Sequence, residues 1–155
     1  MNGTELFSWL SLLFLFGLMA GWYVTQGRHL VQQYSSRKWP SIEAGIQRGA
    51  IGPVNMGKGA VNGCFLGYSF QAAETRYAGF FVIFCDHDKS AQLQKELPGA
   101  TLQVRYKRSD PNVSYLADRK DPRFGWQGAS QNPEYLNQAP PFDLKDAVRS
   151  NPRLY

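Results

Sequence analysis

Apolar and polar positions alternate in three different ways along this chain. From Leu6 to Val24 there are 19 residues without a charge, LFSWLSLLFLFGLMAGWYV. As a helix the run would extend about 28 Å at ~1.5 Å per residue, close to the ~30 Å hydrocarbon core of a bilayer. Trp9 lies near one end and Trp22–Tyr23 at the other, where interfacial aromatic residues gather. Residues 2–5 are Asn-Gly-Thr-Glu and lack the basic stretch that opens a cleaved signal peptide. The pattern therefore predicts one retained transmembrane helix. Arg28, His29, Arg37 and Lys38 follow the run, which places the C-terminal side in the cytoplasm and the N-terminus outside. Leu30, Val31 and Tyr34 continue at helical spacing, and Pro40 biases Trp39 out of helix.

After Pro40 the period changes from helical to two. Ile42, Ala44 and Ile46 alternate with polar or small residues, which predicts a first strand. The glycine-rich stretch 48–63 reads as a long hairpin connection. Residues 64–70 and 76–85 form a predicted hairpin around a tight turn at Glu74-Thr75, with Phe70, Phe81 and Ile83 in the core. Asp88 is placed as the N-cap of a short helix whose Leu93 and Leu97 share one face, ended by Pro98-Gly99. Thr101–Lys107 alternates again, with Leu102, Val104 and Tyr106 inward. The fold class expected is α+β. It comprises one N-terminal transmembrane helix, a small and mainly antiparallel β domain able to curl toward a barrel, one short helix and an extended C-terminal tail. The boundaries are 1–39 for the helix and its extension, 40–121 for the β domain and 122–155 for the tail.

Composition narrows the function. The chain has 17 Lys plus Arg against 12 Asp plus Glu, a net charge of +5 that is spread along its length. Nucleic-acid binders concentrate their basicity, so no nucleic-acid partner is expected. Two cysteines and two histidines exclude a disulfide framework and a four-thiolate or histidine-rich metal site. Cys64 and Cys85 read as reduced, small apolar residues. Asp86-His87-Asp88 reads as a turn with a capping carboxylate, since three consecutive residues do not converge on one ion from regular structure. Residues 52–63 contain Lys58 but break the phosphate-loop pattern, because Gly59 follows the lysine. No catalytic residue, metal or cofactor is assigned, and the chain is read as not an enzyme. Arg105, Lys107 and Arg108 make a basic face at the end of the last predicted strand, read as solvated or as a contact for an acidic partner.

The chain also resembles the bacterial domain-of-unknown-function family numbered three-five-nine-two. The likeness rests on Trp39-Pro40, Tyr68-Ser69-Phe70, Tyr77-Ala78-Gly79, Leu97-Pro98-Gly99, Val104-Arg105-Tyr106 and the stretch Asp110 to Leu116, in that order after a membrane helix. It covers about residues 6–117 and implies a membrane address with a small β-rich domain, and no activity. The chain departs from that pattern in having no second apolar run after the domain, but a tail instead.

The tail, 122–155, is punctuated by prolines yet keeps anchors such as Trp126, Tyr135, Phe142 and Tyr155. Spaced aromatics on extended chain suit separate pockets on a partner. Gly17 and Gly21 form a G-x-x-x-G pair that permits close helix approach. The functional expectation is a non-catalytic accessory or assembly subunit of a larger complex in the inner (cytoplasmic) membrane, with other subunits and the lipid bilayer as partners. The alternative is a membrane-anchored binding or sensing module for a small ligand or anionic lipid.

Overall fold

The computed structural model describes residues 3–140; within the first helix it describes the side chains of 9, 11–21, 23, 24, 27 and 30–35. The chain forms two compact units, 1–35 and 36–155. The first is a single helix, α1 (Gly3–Ser35). Its described large hydrophobic residues, among them Leu12, Phe14, Phe16, Leu18 and Met19, are all exposed.

Among the described residues no helix is long and apolar enough to cross a membrane. The single-pass transmembrane helix, and with it the inner-membrane address and the cytoplasmic placement of the domain, are corrected on this finding.

The second unit is built on one long strand. A 3₁₀ turn (Ser36–Lys38) leads into β1 (Ser41–Ile46), β2 (Ala50–Asn55), β3 (Ala60–Ala72) and β4 (Thr75–Cys85). Helix α2 (His87–Glu96) follows, then β5 (Thr101–Lys107), β6 (Asp110–Leu116), a 3₁₀ turn (Pro122–Phe124), β7 (Ala129–Ser130) and α3 (Pro133–Leu136). All pairings are antiparallel, in the order β6-β5-β1-β3-β4-β7, with β2 also on β3.

β1 and β2 occupy the same edge of β3 in succession. Ile46 faces Tyr68 and Ala50 faces Phe65, so the register slips by one between them. Arg48 and Gly49 form a bulge opposite Leu66. A Cβ at Gly49 would run into the Phe65 carbonyl, so glycine is required where the two backbones touch. The stretch 48–63, expected to be a connection, thus contains a strand. Its Pro53 is tolerated because β2 is an edge, and its alternation buries Gly52 and Val54.

The two faces of the sheet hold two cores. The larger contains Ile46, Leu66, Tyr68, Phe81, Ile83 and Val104, closed by Leu93 of α2, by its C-cap Leu97 and by Phe124. α2 is capped by Asp86, whose carboxylate accepts from the Lys89 amide at 2.7 Å, and not by Asp88 as the sequence suggested. The smaller core, on the opposite face, joins Val54, Phe65, Val82 and Phe84 beneath Tyr135, Leu136 and Ala139.

The extended tail is also corrected. Residues 122–140 fold onto the β domain: Phe124 is 1% exposed, and β7 pairs with β4 through Val82–Ser130 and Ile83–Ala129. Gln131 stitches the two ends of the sheet together. Its Oε1 accepts from the Leu116 amide of β6 at 2.6 Å, and its Nε2 donates to the Phe80 carbonyl of β4 and to the Tyr68 hydroxyl. Gln138 does the same for the outer edge of β2, its amide bonding both the N–H and the C=O of Asn55. One glutamine thus fills the seam between edge strands and another blunts a free edge, where unpaired backbone groups would otherwise invite other chains.

Candidate functional site

Trp126 is the most exposed of the described large hydrophobic residues, at 91%. It sits between Gly125 and Gly128, whose φ values of 75° and 70° are in the left-handed region that glycine tolerates. Both ends of this turn are held. On one side Phe124 is buried against Phe81, with ring centres 5.3 Å apart, and the Asp121 carboxylate pairs with the Arg123 guanidinium at 2.6 Å. That pairing holds the Asp121 carboxyl below its ordinary pKa. On the other side the Ala129 amide donates to the Arg119 carbonyl at 2.8 Å, and Arg119 Nε donates to the Ala129 carbonyl at 3.1 Å. A Cβ at Gly128 would collide with that Arg119 carbonyl. The indole is therefore presented from a fixed turn.

The other expected anchors fall elsewhere. Tyr135 is half-buried and meets Phe84 edge-on at 5.2 Å, so its ring is used inside the domain. Phe142 and Tyr155 lie outside the described residues. Gly17 and Gly21 lie four residues apart on α1, with open space where a Cβ would stand. Of the basic face, Arg105 is half-buried, while Lys107 and Arg108 are exposed at the β5–β6 hairpin.

The groups weighed for chemistry are engaged otherwise. Cys64 is fully buried, and burial, with the nearby Cys85, pushes its thiol up to about 12 from an ordinary 9.0. Burial also raises the Cys85 thiol, which lies 3.1 Å from the Ser90 hydroxyl. Thiols held protonated are poor nucleophiles. Among the described residues no three or more His, Cys, Asp or Glu gather to hold a metal.

The raised thiol makes a pH prediction. The folded state keeps the Cys64 proton up to about 12, whereas an unfolded chain releases it near 9.0. The stabilisation is complete below the unfolded value and is lost as pH climbs through the folded one. Burial raises the Tyr68 hydroxyl as well, with the same sign. Thermal midpoints should hold to about pH 9 and then fall, with a later onset in Cys64→Ala. A midpoint unchanged between pH 8 and 11 would contradict the buried, protonated thiol.

A shallow cleft of about 410 Å³ lies where β1, β3 and the β3–β4 turn meet, lined by Glu43, Gly45, Ser69, Gln71, Glu74 and Arg76. Under it the Ser69 hydroxyl accepts from Gln47 Nε2 at 3.0 Å and from Arg76 Nη2 at 3.3 Å. Among the described residues the buried Gln47 Oε1 has no hydrogen-bond partner. Sequence reasoning missed the cleft, since its residues are ordinary polar positions of several strands. It also missed Gln131, because nothing in a local window marks a glutamine that bridges β4 and β6.

Comparison with protein families, with curated proteins and with solved structures gives no match. The family likeness noted in the sequence is thus without support from these comparisons.

Proposed function

We propose that this protein is a non-catalytic assembly subunit that docks onto a larger protein complex. The observation that carries the reading is the fixed presentation of Trp126, 91% exposed on a turn tied down at both ends. An ordered tryptophan loses little conformational freedom on binding, and tryptophan is the residue type most enriched among binding hot spots. The fit is to an apolar pocket on a protein partner. The exposed large apolar residues of α1, among them Leu12, Phe14, Phe16 and Met19, support the same reading, because a contiguous apolar patch marks an interaction surface. The engagement of Cys64 and Asp86 in packing and capping favours binding over catalysis.

The test is purification of the tagged full chain from its native source, with and without Trp126→Ala. Wild type should carry a partner in fixed stoichiometry. The variant should keep its thermal midpoint and lose that partner by about thirtyfold, the effect of a ~2 kcal/mol hot spot. A chain that purifies alone, or one that keeps its partner without the indole, would overturn the proposal. So would binding of Trp126 to protein-free lipid vesicles.

A further inference from the structure

A second surface gathers charge that the sequence leaves in two places. Ser41 faces Arg105 in the β1–β5 ladder, and the Tyr106 amide donates to the Pro40 carbonyl at 3.2 Å, so the pairing continues past the strand end. The 3₁₀ turn at 36–38 and β5 are in contact. Lys38, Arg105, Lys107 and Arg108 are thus brought from two separate stretches onto one corner of the domain. Three of the four are exposed, and none of the four side chains makes a hydrogen bond or ion pair among the described residues. The nearest acid in the ladder, Asp110 opposite Lys107, has its Oδ1 engaged by Asn112.

The geometry points to a docking site for an acidic segment of a protein partner, with these four cations as its contacts. The inference rests on the docking reading above and names the chemistry of a second contact. Two observations favour carboxylates over a nucleic acid. Trp39 and Tyr115 stand among the cations, but their rings pack on one another at 5.9 Å, and Tyr115 is only 7% exposed. They are spent on holding the corner together and are not open platforms for bases. The cations also form a compact cluster and not a stripe that would follow a phosphate backbone. Four cations against the single Asp110 of the ladder leave a net positive potential that a run of Asp and Glu complements, and this raises association rates at low salt.

The probe is a fluorescein-labelled 20-residue poly-glutamate peptide, titrated with the full chain at 50 and 200 mM salt. The account expects binding that weakens with salt and that falls at least tenfold in Lys38→Glu/Arg105→Glu/Lys107→Glu/Arg108→Glu. A charge-matched variant, Arg48→Glu/Lys58→Glu/Lys95→Glu/Lys120→Glu, should lose less than threefold. Because Arg105 is half-buried, Lys38→Gln/Lys107→Gln/Arg108→Gln serves as a milder second variant, expected to lose at least threefold. Equal losses in the two charge-reversed proteins, or no loss in the milder one, would overturn the site. So would a single-stranded 20-mer oligonucleotide or anionic phospholipid vesicles binding more than tenfold tighter than the peptide. Trp126→Ala should leave peptide binding unchanged, so failure here and failure of the indole contact are separate results.

Discussion

Truncation after Asp121 is expected to abolish the cooperative unfolding transition of the β domain. The cut removes Phe124, which is 1% exposed and packs on Phe81. Loss of a buried phenylalanine side chain alone costs about 3–5 kcal/mol. It also removes Gln131, leaving the Leu116 amide short of a partner in a buried seam, while the Tyr68 hydroxyl keeps only Ser114. Unsatisfied buried groups cost about 1–3 kcal/mol each. β7 leaves the β4 edge, and Tyr135 leaves Phe84 uncovered. Together these losses approach the whole ~5–15 kcal/mol stability of a small domain. A chain ending at Pro140 keeps every one of these contacts and should recover the cooperative transition. Differential scanning calorimetry of the two truncations checks this. A sharp transition in the Asp121 truncation, within about 5 °C of the full chain, would mean that residues 122–140 contribute little to the fold.

Phe81→Ala should destabilise the domain by about 3–5 kcal/mol, as large-to-small changes at fully packed aromatic positions do. Phe81 is fully buried, faces Leu66 in the β3–β4 ladder, and its ring meets both Tyr68 and Phe124. It therefore links the central strands to the segment that closes the seam. Phe80, its neighbour, points to the other face and is only half-buried, so Phe80→Ala should cost clearly less. Chemical denaturation of both variants separates them by their midpoints. Equal losses would mean that the face assignment of β4 is wrong.

Those faces were readable from the sequence because burial on one side of a strand writes a period of two. Ile42, Ala44 and Ile46, then Leu102 and Val104, alternate as they do in the sheet. The same logic failed at β2. Its glycines and Pro53 carry the signature of a loop, and the strand exists because β3 offers a partner and Val54 finds Phe65 and Val82. The cap of α2 illustrates a different limit. Asp86 and Asp88 stand two residues apart where the helix begins, and only backbone geometry decides that α2 starts at His87, so that the Asp86 carboxylate reaches the Lys89 amide.

The tail was misread for a physical reason. Phe124 and Trp126 stand two residues apart in proline-rich chain without periodicity, yet one is fully packed and the other 91% exposed. Gly125 in a left-handed conformation turns the chain between them, and composition does not reveal which side of such a turn faces the core. The apolar run at the start shows the converse. Its composition reads as a bilayer span, whereas the described residues form no helix long and apolar enough for one.

The docking claim is tested most directly by placing a photo-reactive benzoylphenylalanine at position 126 of the full chain and irradiating it in the native cell. The probe keeps an aromatic ring at the tip of the turn and bonds covalently to whatever touches it. The account predicts one discrete adduct with a single different protein, absent when the same residue is placed at exposed Glu96 on α2. Adducts only with lipid, only with a second copy of this chain, or with nothing would contradict it.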